Sequence, residues 1–272
     1  MRSAWTLALL ASVVGCVKPD PAEIVQPLES TLGAAVPAAY FAAVSMAALG
    51  GRASPCAKVV TPSGNGGTVR VDVSLGPGCP PMFGAEESGT AVVTGTWTPQ
   101  VATFVMDFTA LSSAGHPMVV VGIAAMTVTP AGSNRLIIAY GEEDIRVSTS
   151  GPSTAGVEQV AWAVEIDTAG TDDPSDDTLS ISGGAQTLFA ASQPAAAADL
   201  TQVAVGNAVF EPGCRRNPGS GVAAIQRAGT RGGGWVLFHF HQACNGTADV
   251  VAAVAPYELL ITDALPLAFL QH

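Results

Sequence analysis

The chain predicts an all-β fold, an antiparallel sandwich or barrel-like sheet preceded by a short helical segment. Three observations carry this. From Lys58 onward apolar residues recur at every second position. Clusters of Gly, Pro, Asn and Asp interrupt that alternation at short intervals. Finally, 48% of the 272 residues are hydrophobic and only 12% are charged, ample for a large core. Period-two alternation turns one face of a strand to a core and the other to a more polar setting. Short strands separated by turn chemistry are the pattern of sandwiches and barrels.

The elements can be justified in chain order. Asp20-Pro21-Ala22-Glu23 reads as a helix start, with Asp20 as cap, Pro21 at the first helical position and Glu23 where a capping box places an acid. Pro27 is expected to limit or kink that helix. Pro37 to Leu49 forms a second candidate, with Tyr40, Val44 and Ala48 along one face and Gly50-Gly51 as its stop. These helices read as a spacer that docks on the β region. Strand signals follow. Val69, Val71, Val73 and Leu75 alternate with polar residues, as do Ala102, Phe104, Met106 and Phe108. Val160, Trp162, Val164 and Ile166 repeat the pattern, and so do Leu179 and Ile181. Turn clusters lie at residues 62–67, 130–134 and 170–177. The pattern gives roughly twelve to fourteen strands.

An echo links the two ends of the β region. Val69 to Leu75 is followed by Cys79 and then Gly89-Thr90-Ala91. Trp235 to His241 is followed by Cys244 and then Gly246-Thr247-Ala248. Each unit has an upstream cysteine, Cys56 or Cys214. Repetition of this kind suggests related β units. The organisation expected is a leader at 1–15, a lipidated N-terminus and helical spacer at 16–51, a first β unit at 52–192 and a second at 193–272. One continuous β domain is the alternative. Gln193 to Ala198 is the boundary between the units.

Residues 1–15 carry one charge, Arg2, then a short apolar run, then small residues directly before Cys16. That run is too short to span about 30 Å of hydrocarbon. It has the layout of an export signal. Val13-Val14-Gly15-Cys16 resembles a bacterial lipobox, the mark of lipoprotein signal peptides. The resemblance implies cleavage before Cys16, diacylglycerol on its sulfur and a palmitate-type acyl chain on the new amine. Val17 follows where an aspartate would favour inner-membrane retention, so the resemblance points to the outer membrane, at its periplasmic face or the cell surface. The stretch Cys214-x3-Pro218-x-Ser220-Gly221, with Cys244-Asn245-Gly246 after the next strand, resembles β-rich bacterial envelope lipoproteins. It implies fold type and export, and brings no site residues with it.

Four cysteines remain besides Cys16. An even set in an exported chain reads as disulfides. Four allow three pairings, of which Cys56–Cys79 and Cys214–Cys244 are favoured because each pair brackets a hairpin. Closing loops of that size contributes about 3–3.5 kcal/mol each in the chain-entropy model. A four-thiolate zinc site lacks the close-spaced pairs such sites use.

The formal charge is −11, and Lys18 and Lys58 are the only lysines. Phosphate binding needs clustered cations, so nucleic acid is excluded as a partner. The implied partners are the membrane, through the lipid, and an envelope protein or glycan. Elbow, zincin and phosphate-loop motifs are absent. The expected role is therefore a noncatalytic binding or structural module without a cofactor. The alternative is a metal-binding protein or metal-dependent enzyme. His239 and His241 share one face of a strand and Asp249 lies on the next, a set that suits zinc. Asp249 meets or avoids them according to strand register. A solvated turn is the usual explanation of the acidic run Asp172, Asp173, Asp176 and Asp177, and calcium is the ion it would suit. Glu142, Glu143 and Asp144 read as a hairpin tip.

Overall fold

The structure is a computed structural model that describes residues 21–52, 54–61, 67–75, 78–79, 87–113, 119–148, 154–171, 176–190, 199–212, 218–228, 234–240, 247–254, 257–259 and 265–266. It opens with helix α1 (Pro21–Leu49). Fourteen strands follow: β1 (Ala57–Thr61), β2 (Gly67–Leu75), β3 (Glu87–Trp97), β4 (Ala102–Ser113), β5 (Val119–Pro130), β6 (Arg135–Ser148) and β7 (Thr154–Asp167), then β8 (Thr178–Ala190), β9 (Asp199–Phe210), β10 (Ser220–Ala228), β11 (Gly234–Phe240), β12 (Thr247–Val254), β13 (Tyr257–Leu259) and β14 (Leu265–Pro266).

All fourteen belong to one antiparallel sheet. Each strand from β1 to β13 pairs with its sequence neighbours, and β14 joins β12 on the edge it shares with β13. The sheet is an up-and-down meander. Among the described residues its first and last strands do not pair, so it is not closed. The proposed boundary at 193–198 lies outside the described residues; the strands on either side of it, β8 and β9, pair with each other.

The predicted alternation is seen in the burial of the side chains. Val69, Val71, Val73 and Leu75 are buried, and so are Ala102, Phe104, Met106 and Phe108. Trp162, Val164, Ile166, Leu179 and Ile181 are buried on the same inner face. The outer face carries the Arg70–Asp72 and Arg135–Glu165 ion pairs, exposed Asp107 and Asp167, and scattered exposed Val105, Ile123 and Ile137.

Helix α1 is a single element where two were expected. It runs through both Pro27 and Pro37, each of which removes a helical N–H donor. Tertiary burial overrides that cost. Leu28, Leu32, Ala35, Val36, Ala38, Ala39, Tyr40, Phe41, Ala42 and Met46 are all buried. From Ala35 to Ala42 every described side chain is buried, and a segment apolar on all sides belongs inside a protein rather than on its surface. It packs against every strand from β1 to β10. One sheet face can meet one helix along so many strands only by curling around it. The expected spacer is therefore docked so deeply that it is the axis of the core. Between the two prolines, the buried Tyr140 hydroxyl donates to the Ala35 carbonyl over 2.6 Å and ties helix to sheet. Tyr140 in turn stacks edge-on against Trp162, with ring centroids 5.8 Å apart.

Curling needs local bends. Register shifts interrupt the ladders at Ser88/Ala91, Phe108/Leu111, Ala124/Met126, Glu158/Ala161, Ile181/Gly183 and Ser220/Val222. Such bulges bend a strand and increase its twist. The Glu142-Glu143-Asp144 run departs from expectation here. It lies within β6, paired to β5 through Glu143↔Ala124 and Asp144↔Ile123, and is not a hairpin tip. Pairing with β5 gives it backbone partners, and that outweighs the turn tendency of a charged run.

Cys56 and Cys79 form a disulfide, as expected, with Cα atoms 5.4 Å apart. It fastens the chain leaving α1 to the loop after β2. Cys16, Cys214 and Cys244 lie outside the described residues.

A candidate ligand cavity at the C-terminal end of the helix

Helix α1 ends in a glycine cap. The Gly50 amide donates to the Met46 carbonyl over 2.9 Å, and the Arg52 amide donates to Ala47 over 3.0 Å. Gly51 takes a φ of 86°, a conformation that glycine adopts without steric cost. The chain then turns through Arg52, Ser54 and Pro55 into β1. The Ser54 hydroxyl accepts the Cys56 amide over 3.2 Å.

Three strand-to-strand turns gather around this helix end. In the β3–β4 turn, Thr98 closes onto Val101 through its amide and its hydroxyl, at 2.9 and 3.1 Å. In the β5–β6 turn, the Ala131 amide donates to the Arg135 carbonyl over 2.8 Å. The β7–β8 turn is bonded to its neighbour: the Thr168 amide and hydroxyl both donate to the Asn134 carbonyl, at 2.7 and 3.1 Å. The Thr171 hydroxyl holds the Asp176 carboxylate at 2.8 Å.

Together they line a half-open cavity of about 410 Å³. Its apolar wall comes from Tyr40, Val44 and Ala47 of α1, Trp97 at the end of β3, and Leu136. Its polar side comes from Arg52, Asn134, Arg135, Thr168, Thr171 and Asp177. Asp177 is only 7% exposed, unusual for a carboxylate. Arg135 is half exposed and is bonded to Glu165 across the β6–β7 ladder. A concave site in this size range, apolar with a few convergent polar groups, is what small-molecule sites have in common.

Much of this rim falls on turns that the sequence marked. Pro130, Gly132, Ser133 and Asn134 of the first cluster and Thr171 and Asp177 of the second line it, and Tyr40 and Val44 share the helix face that points into the cavity. Sequence reasoning missed Arg52, Trp97 and Asp177 as partners. Trp97 reads as a core residue, yet it is half buried, because it sits on the last residue of β3 where the inner face opens. Asp177 reads as part of a solvated acidic run; the chain re-enters the sheet one residue later and carries it inward.

The proposed metal residues lie elsewhere. His239 of β11 and Asp249 of β12 are direct cross-strand partners, and both are exposed. Directly paired residues point to the same face, so the register brings these two together. Phe238 and Phe240 take the buried side, as the alternation predicts. His241 lies outside the described residues, as do His116, His272, Asp172 and Asp173. Among the described residues, no three His, Cys, Asp or Glu side chains gather as a metal site.

Comparison with known protein families, curated proteins and solved structures returned no match. The site must be read from its own chemistry. Among the described residues the lining holds no histidine, and Cys56 is tied up in its disulfide. Donors, acceptors and an apolar wall suit recognition.

Proposed function

We propose that the chain is a lipid-anchored, noncatalytic binding module of the bacterial outer membrane, whose ligand site is the cavity at the C-terminal end of α1. The cavity is the observation that carries the binding role. Its rim is held by backbone hydrogen bonds, so little ordering entropy is lost when a ligand enters.

Two features support the envelope. One is the lipobox-like run ending at Cys16. The other is the Cys56–Cys79 disulfide, which suits an oxidising compartment. Four residues separate Cys16 from Pro21, so α1 begins within about 17 Å of the Cys16 Cα. A helix of 29 residues is about 43 Å long, and the cavity lies at the end of it remote from the anchor. An integral barrel fits this sheet poorly. Membrane barrels are apolar outside, whereas here the apolar face is turned inward and ion pairs lie outside.

Replacement of Cys16 tests the anchor. Cys16→Ala is expected to move the protein from the membrane fraction to the soluble fraction. Mass spectrometry of the wild-type N-terminal peptide should show the mass of the attached acyl groups. A Cys16→Ala protein that stays in the membrane would overturn the proposal.

A second reading, metal binding, is favoured by the cross-strand His239–Asp249 pairing alone. On that reading His239, Asp249 and His241 would hold zinc. Purified protein would contain about one zinc per chain, lost in a His239→Ala/His241→Ala double variant. Wild-type protein free of zinc after dialysis against it would end that reading.

A further inference from the structure

We infer that the cavity takes an uncharged sugar ring of the hexopyranose type. This deepens the reading of the cavity as the binding site and rests on it. The charges in the lining are already answered. Arg135 is bonded to Glu165 on the outer face of the sheet, and Arg52 and Asp177 each have an interaction within the protein. An ionic ligand finds no counter-charge here that it would not have to take from another group. What the lining leaves uncommitted is neutral hydrogen bonding. The Asn134 backbone carbonyl is used by Thr168, but among the described residues the Asn134 carboxamide has no hydrogen-bond partner. Gly170 leaves room for it: a Cβ there would lie 3.1 Å from its Nδ2. The Ser54 hydroxyl accepts the Cys56 amide and keeps its own proton to donate. The Thr168 hydroxyl donates its proton and keeps lone pairs to accept. Ligand hydroxyls, each donor and acceptor at once, match such a mixed rim.

The apolar wall narrows the ligand further. Half-buried Trp97, with Val44 and Leu136, makes up one side only, and the polar rim makes up the rest. Because the cavity is half open, whatever it holds keeps an outer side in water. A wholly apolar ligand would leave oily surface exposed there. A flat aromatic base has two apolar faces where the site covers one. A hexopyranose has a single apolar face: axial C–H groups gather on one side of the ring, and hydroxyls stand around its edge. Those hydrogens carry a slight positive charge and suit the negative face of an indole. The volume of about 410 Å³ lies in the range of small-molecule sites, and water can bridge hydroxyls that the rim does not reach.

The test is ligand-observed NMR titration of the detergent-solubilised mature protein, in a detergent that carries no sugar. The neutral probes are the methyl β-glycosides of glucose, galactose and N-acetylglucosamine. Methyl β-D-glucuronide is the charged ring and adenosine the flat base. At least one neutral glycoside is expected to bind saturably, with magnetisation passing most strongly to its axial ring protons. Glucuronide should bind no more tightly, and adenosine about fivefold more weakly, the scale of one neutral hydrogen bond. Trp97→Leu keeps an apolar wall without a ring and should weaken the glycoside by up to about tenfold, whereas Trp97→Phe should recover most of the loss. Asn134→Ala should weaken it about fivefold. Wild-type affinity in Trp97→Leu overturns the stacking and with it the sugar. Glucuronide or adenosine binding more tightly than every neutral glycoside, with the signal lost in the cavity-filling Ala43→Trp, overturns the sugar and keeps the cavity as a site. No binding by any probe also overturns the sugar. A saturable signal that survives Ala43→Trp places binding elsewhere and overturns both. The comparison of probes on wild-type protein stands even if a variant fails to fold.

Discussion

Phe41→Ala is expected to lower the stability of the folded protein by about 3–5 kcal/mol, the range for deleting a fully buried aromatic side chain. Phe41 lies in the last third of α1, has no solvent exposure, and places its ring 5.4 Å from that of Phe108 in β4. Deleting it removes apolar contact and leaves a void. The void cannot close easily, because its walls are the helix itself and the inner face of a sheet whose strands are all hydrogen-bonded to one another. Residual cavity volume adds to the transfer cost. Val105→Ala is the control: Val105 is on β4 too, but faces outward and is 44% exposed. It should cost no more than about 0.5 kcal/mol. Urea unfolding would measure both, with the midpoint falling steeply for Phe41→Ala and the slope unchanged. In a thermal melt the same loss is a fall on the order of 10 °C. If Phe41→Ala and Val105→Ala unfolded together, α1 would not be the axis around which the sheet is built, and the cavity at its end would lose its floor.

What the sequence disclosed and what it hid divide along a physical line. Alternation in β2 and β4 is legible because each strand has one apolar face, and period two is a local property of the chain. The glycine stop of α1 is legible for the same reason. The continuity of α1 is not. Pro27 and Pro37 break the local helical signal, and what restores the helix is contact with strands that begin up to about two hundred residues later. The cavity is hidden in a similar way. Tyr40, Trp97 and Asp177 are far apart in the chain and meet only because a meander returns every second turn to the same end of the sheet. The alternation of β11 shows that His239 faces away from Phe238 and Phe240. It cannot show that Asp249 stands opposite, since register depends on the connection between the strands.

Gly183→Ala is expected to be among the most costly single-methyl changes in the sheet, with Gly95 and Gly221 equally crowded by backbone, at about 3 kcal/mol. Gly183 sits in β8 with a φ of 125°, a region that side-chain-bearing residues avoid. A Cβ there would lie 2.1 Å from the Ala161 carbonyl oxygen and 2.9 Å from the Cα of Trp162. Both obstacles are backbone, so no rotamer change relieves them. The position is also structural: Gly183 is opposite Trp162 on one side and Val205 on the other, directly after the register shift at Ile181. The close approach therefore marks the bend that lets β7, β8 and β9 follow the curve of the helix. Gly141→Ala in β6 separates this effect from any general cost of replacing a strand glycine. A Cβ at Gly141 would meet the Ala125 carbonyl at 3.6 Å, an ordinary contact, and its φ is not positive. That substitution should be neutral or stabilising by about 0.5 kcal/mol, since alanine loses less chain entropy on folding. Denaturant unfolding of the two variants side by side would measure the difference. Equal stability would mean that the backbone at Gly183 has room to spare, and the curl of the sheet would have to be set somewhere other than at this bend.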